Sequence, residues 1–186
     1  MEGLGLVSDP TTILPYRQEP YRVLHAGSGR IPLPAWLTPS IETRLDINPD
    51  CDPDIVASIA DLGDIGPFDV VYTCHTLEHL HPLDVDQALA EFHRVLAPRG
   101  ILIIFVPDLE DVRPTDDVLY TSAIGQITGL DMIYGKASLT RSDPYMLHRT
   151  GFTAATLGAA ISRAGFVNAG ARRLGGFNLM GAGEKA

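Results

Sequence analysis

The stretch YRVLHAGSGRIPLPAWLTPSIETRLD, Tyr21 to Asp46, decides the fold. It reads as an apolar strand carrying Val23 and Leu24, a turn Ala26-Gly27-Ser28-Gly29, and a second strand ending on an acid, Asp46. Paired glycines allow positive φ and let a ligand approach the main chain with no Cβ in the way. An acid at the tip of the next parallel strand can accept hydrogen bonds from both hydroxyls of a ribose. A nucleoside-containing ligand is therefore the first expectation.

Outward from that stretch the chain alternates. Short apolar runs at Arg22–His25, Thr43–Ile47, Ile55–Ile59, Asp69–Cys74 and Ile101–Val106 read as strands buried on both faces of a parallel sheet. Val85, Ala88, Leu89, Phe92, Val95 and Leu96 follow helical spacing, with Asp84 as the expected cap and Pro98-Arg99-Gly100 as the stop. A weaker helix is expected over Asp116–Thr128. A stronger one spans Ala154–Ala164, with Thr153 as N-cap, Phe152 and Leu157 as a hydrophobic staple and Gly165 as the left-handed end. Phe166–Leu174 and Phe177–Met180 flank Gly175-Gly176 as an antiparallel hairpin. The sum is an α/β fold with an antiparallel edge. Pro32, Pro34 and Pro39 interrupt the place where a crossover helix would follow the glycine turn.

A chain of 186 residues, 45% hydrophobic, suits one domain, here 21–186 preceded by a loose N-terminal arm over 1–20. The net charge of -9 argues against nucleic acid and anionic membranes as partners. No apolar run approaches a membrane span, and the N-terminus lacks a signal-peptide pattern, so a cytoplasmic location is expected. Cys51 and Cys74 form neither a metal pair nor a disulfide framework.

With those residues in place, the chain resembles the class I S-adenosylmethionine-dependent methyltransferases, in the small bacterial branch related to the type 11 methyltransferase domain. Five blocks in order carry the resemblance: VLHAGSG (23–29), TRLDINP (43–49), IADL (59–62), FDVVYTCHTLEHL (68–80) and EFHRVLAPRGILIIFVPDL (91–109). The later MLHRTGFTAATLGAAISRAGF (146–166) fits the same branch. The resemblance implies a single Rossmann-like domain whose cofactor is S-adenosyl-L-methionine. Gly27, Ser28 and Gly29, following Ala26, would wrap its methionine part, and Asp46, beside Ile47, would hold the ribose. Asp61 would accept from the adenine amino group while the backbone of Leu62 meets the ring. Cys74 and His75 would line the floor beside the sulfonium. The first glycine motif often begins with an acid, and here that place is His25.

Other readings compete. His75-Thr76-Leu77-Glu78-His79 matches the H-x-x-E-H zinc motif, which needs both histidines on one face of a helix. It follows a buried strand directly and meets Pro82 too soon for two helical turns, so no metal is expected. A dinucleotide dehydrogenase would need its third glycine at position 32, which is Pro32. Asp108 reads as a turn residue, His93 and Arg94 as solvated, and Cys74 as apolar packing.

Methyl transfer from a sulfonium mostly requires holding a nucleophile in line and keeping water out. A hydroxyl acceptor also profits from a base near neutral pKa. His75 is the candidate catalytic residue. His79, Tyr134 and His148 are candidates for binding a small-molecule or saccharide acceptor, within a pocket expected from Asp108–Thr150. The sequence leaves open the acceptor, the oligomeric state, and a non-catalytic cofactor- or partner-binding module of the same fold.

Overall fold

A computed structural model describes residues 13–186. Seven strands form one sheet: β1 (Tyr21–Ala26), β2 (Ser40–Asp46), β3 (Ile55–Val56), β4 (Phe68–Cys74), β5 (Leu96–Pro107), β8 (Val167–Leu174) and β9 (Asn178–Glu184). Their order is β3-β2-β1-β4-β5-β9-β8. The first five run parallel, and β9 pairs antiparallel with both β5 and β8. Strand order reverses between β1 and β4, and open α/β sheets bind ligands at the carboxyl end of such a switch point.

Helix α1 (Pro82–Val95) and helix α4 (Ala154–Arg163) lie against one face. Their apolar stripes, among them Leu89, Phe92, Leu157 and Ile161, merge with Leu24, Val71 and Leu102 of the strands into the main core. Close approach of α4 to β9 depends on small residues. A Cβ at Gly181 would lie 2.7 Å from Ile161 Cδ1, and one at Gly183 would lie 2.7 Å from Phe166 Cβ.

The opposite face carries a second cluster around Val23, Val70, Tyr72 and Ile103, and no helix follows β1 to cover it. The three prolines leave only a 3-10 turn, Ala35–Leu37, whose Leu37 and Trp36 pack over Tyr72. Residues 13–20 also help, which departs from the expected loose arm. Ile13 is buried there, and Arg17 reaches Asp69 at 2.6 Å. The guanidinium hydrogen bond holds the Asp69 carboxyl below its usual range. Residues 1–12 of the expected arm lie outside the described residues.

The other expectations divide by local chemistry. Helix α4 begins on the Thr153 cap with a capping box to Thr156, and Gly165 takes φ +94° at its far end. The hairpin of β8 and β9 forms as read. Helix α1 is capped by the His81 side chain instead of Asp84, which sits inside the first turn. The weak helix over 116–128 is instead a hairpin, β6 (Val118–Ser122) with β7 (Gly125–Thr128). Gly125 at φ +101° reverses the chain there, and Val118 and Tyr120 favour extended backbone. Short α2 (Gly129–Tyr134) and α3 (Ala137–Thr140) follow. Ile55–Ile59 shortens to the two residues of β3. Among the described residues no helix is long and apolar enough to cross a membrane.

Candidate functional site

The glycine turn is knotted to β2. Gly27 N–H and Ser28 N–H both donate to Leu45 O, at 2.8 and 3.0 Å. Asp46, buried at the strand tip, accepts from Gly29 N–H at 2.7 Å through Oδ2 and from Asn48 N–H at 2.9 Å through Oδ1. Arg44 grips the other edge of the turn, donating to Gly29 O at 2.6 Å and to Ile31 O at 3.2 Å. A carboxylate offers about four lone-pair sites, so Asp46 holds the turn and keeps acceptor capacity for a ligand. Ser28 is buried and its hydroxyl has no partner among the described residues. Gly27, at φ +70°, admits no side chain, because a Cβ there would collide with Thr76. Thr76 Oγ1 lies 3.3 Å from both Gly27 O and Cys74 O and so bridges the tips of β1 and β4.

Beneath the turn, His25 is buried edge-on to Tyr72 at 5.2 Å. Its Nδ1 lies 2.7 Å from Glu42 Oε1 on the neighbouring strand. Burial pulls the His25 pKa down against the pull of Glu42 upward.

The segment after β3 is tied to α1. Gln87 donates to Ala60 O at 2.8 Å, Arg94 to Gly63 O at 2.6 Å, and Glu91 accepts from Leu62 N–H at 2.9 Å. These three side chains recur at helical spacing, which sequence reading did not connect to the site. Asp61 is exposed at the tip, while the Leu62 side chain is in the core. The expected contact of the Leu62 backbone with a purine ring meets an obstacle, since Glu91 already holds the N–H. Arg94, expected to be solvated, pairs with Glu91 at 2.7 Å and keeps its carboxyl below the usual range. Ile47 is largely exposed beside Asp46.

At the tip of β4, His75 takes φ +53° and its N–H donates to Phe105 O at 2.8 Å. Its Nδ1 is 3.2 Å from Oε1 of the buried Glu78. Burial lowers the His75 pKa, but the hydrogen bond and charge of Glu78 outweigh it and raise the value. Glu78 responds oppositely: burial raises it, and His75 brings it below the usual range. Cys74 is half-buried and desolvation raises its thiol pKa, in keeping with a packing role.

The three acceptor candidates are brought to the same place. His79 and His148 meet edge to face at 5.1 Å. Tyr134 is exposed, and its carbonyl accepts from His148 N–H at 3.1 Å. Glu78 O accepts from Arg149 N–H and Thr150 N–H, at 2.8 and 3.1 Å, stitching the 147–150 segment to the β4 tip. Asp108 is a turn residue as expected, accepting from Glu110 N–H, but it is also buried and paired with Arg173. Thr76 and Arg44 carry no motif that marks them for these roles, and Glu78 is marked only by H-x-x-E-H.

With this geometry in view, the comparisons agree with the resemblance. Residues 37–104, little more than a third of the chain, match the family model for a methyltransferase domain. A solved S-adenosylmethionine-dependent methyltransferase from Mesorhizobium loti superposes with a TM-score of 0.64 at 15% identity, covering 92% of this chain and 94% of that one. The 1,6-didemethyltoxoflavin-N1-methyltransferase of Burkholderia thailandensis, solved with S-adenosylhomocysteine, gives 0.57 at 20% identity, over 90% of this chain and 72% of that one. An O-methyltransferase family protein from the same organism gives 0.62 at 14% identity; 89% of this chain is covered, which spans only 51% of that protein. No curated protein matches the chain in sequence. The fold is that of the class I S-adenosylmethionine-dependent methyltransferases.

Proposed function

We propose that the chain is a cytoplasmic S-adenosylmethionine-dependent methyltransferase acting on a small-molecule or saccharide acceptor. The observation that carries this is the Gly27–Gly29 turn tied to Asp46 at the sheet's switch point, with a buried unpartnered Ser28 hydroxyl beside it. Those groups fit the cofactor. Asp46 would take the ribose hydroxyls, the turn's backbone and Ser28 the methionyl part, and Asp61 the adenine amino group. When bound, S-adenosylmethionine supplies an electrophilic methyl group.

The chain's own contribution is positioning. His75 stands at the strand tip with Nδ1 turned to Glu78, which leaves Nε2 to take a proton from a hydroxyl acceptor. An amine arriving unprotonated would need no such base. His79, His148 and Tyr134 would line the acceptor side.

The second reading, a binding module without turnover, draws on the Leu62 N–H held by Glu91 and on the missing helix after β1. Isothermal titration with S-adenosylhomocysteine tests the cofactor site. Asp46→Ala removes a charged acceptor, worth about 1.5–3 kcal/mol per hydrogen bond, and affinity should fall at least about tenfold. Asp46→Asn should lose less. Parent-like binding by both variants would refute the ribose role. Release of S-adenosylhomocysteine across an acceptor panel then separates enzyme from binder.

A further inference from the structure

Glu78 has an oxygen that methyl transfer does not use. Oε1 faces His75, while Oε2 is buried with no hydrogen-bond partner among the described residues, in a residue only 1% exposed. A lone carboxylate oxygen in the interior calls for a partner.

Two imidazoles stand beside the Glu78 carboxylate. One ligand atom each from Glu78, His79 and His148 lies within 4.8 Å of the other two. Each ring has Nδ1 on a backbone carbonyl: His79 on Leu147 O at 3.2 Å and His148 on Met132 O at 2.9 Å. A carbonyl only accepts, so Nδ1 carries the proton and Nε2 keeps its lone pair. That engagement of the second nitrogen is the usual support of a metal-ligating histidine.

We propose that Glu78, His79 and His148 bind one divalent transition-metal ion of zinc type. Two imidazoles and a carboxylate suit zinc and its neighbours better than magnesium or calcium, which prefer oxygen alone. Three protein ligands leave a further position for water or another ligand, as in catalytic zinc sites. The expectation of no metal is thereby revised. The H-x-x-E-H segment forms only a 3-10 turn, Leu77–His79, as the sequence requires. Its own first histidine is not the partner; His148, beyond α3, takes that place. The backbone bonds from Arg149 and Thr150 to Glu78 O hold the two segments together.

The test uses the full chain, stripped with chelator and titrated with Co²⁺ and then Zn²⁺. The expected result is one equivalent of Co²⁺, a visible ligand-field band that Zn²⁺ abolishes, and a Tm that rises with Zn²⁺. Glu78→Gln and His148→Ala should each weaken Co²⁺ uptake at least about tenfold, since loss of supporting contacts alone costs that much. His93→Ala, remote from the cluster, should bind as the parent does. Circular dichroism melts show that each variant is folded. Uptake no tighter in the parent than in folded His148→Ala would overturn the proposal. None of these readouts depends on S-adenosylmethionine, so the site stands or falls apart from methyl transfer.

Discussion

The two sides of the site are built by different means. On the β1–β2 side, the shaping comes from the end of a single strand, β2. Leu45 O and the side chains of Asp46 and Arg44 hold a turn that follows β1, the neighbouring parallel strand. On the β4 side, the shaping is done by side chains from separate segments, with Glu78 between His75 on one hand and His79 and His148 on the other. The first side is a local motif whose geometry follows from its residue types. The second exists only once the 147–150 segment has folded back onto the β4 tip.

If the division is real, it shows in which measurement each side moves. His75→Ala should lower turnover by about 10²–10⁴, the usual contribution of a positioned base, while weakening S-adenosylhomocysteine binding less than Asp46→Ala does. His93→Ala should change neither, because His93 packs against Phe166 at 4.9 Å on the helical side. An affinity loss for His75→Ala matching that of Asp46→Ala would merge the two sides into one.

A smaller effect separates two glycines within the first side. Gly27 and Gly29 both have positive φ, +70° and +50°. An alanine at either pays the left-handed cost of about 1–2 kcal/mol. At Gly27 the new Cβ also meets Thr76, whereas nothing lies within 4 Å of one at Gly29. Gly27→Ala should therefore cost about 2–5 kcal/mol in a urea melt, including overpacking, and Gly29→Ala about 1–2 kcal/mol. Equal costs would mean that Thr76 does not close over the turn.

The same division explains what the sequence made legible. The turn, the capped α4 and the closing hairpin were readable because each is dictated by a few adjacent residue types: small residues, Thr153 with Thr156, paired glycines. The pairing of His79 with His148 was not, because it depends on tertiary return of a segment with no periodicity. H-x-x-E-H pairs His79 with His75, whereas the fold sets His148 beside His79. The hairpin at 118–128 was misread for a related reason: its polar, acid-rich start hides a weak strand alternation that a single glycine turns into β6–β7. Glu91 was overlooked as a polar helix residue, although its reach to Leu62 N–H decides what that backbone can offer a ligand.

The smallest expected effect concerns His25, buried under the turn against Glu42. His25 is 2% exposed, and burial lowers its pKa although Glu42 pulls it upward. A histidine whose folded pKa lies below the unfolded value of about 6.5 binds its proton more readily in the unfolded chain. Stability then rises as pH climbs from the lowered folded value to the unfolded one, and above both this residue adds no slope. His93 and His148 are also lowered and act in the same sense, while the raised His75 acts in the opposite one. Only a difference between parent and variant therefore isolates His25. His25→Gln keeps a donor for Glu42 and removes the titration. Between about pH 5 and pH 7 the Tm of the parent should rise more than that of the variant. A parent that rises less than the variant would mean the imidazole is charged in the fold. Glu42 would then serve as one half of a buried ion pair under the turn, and not as a hydrogen-bond acceptor for a neutral ring.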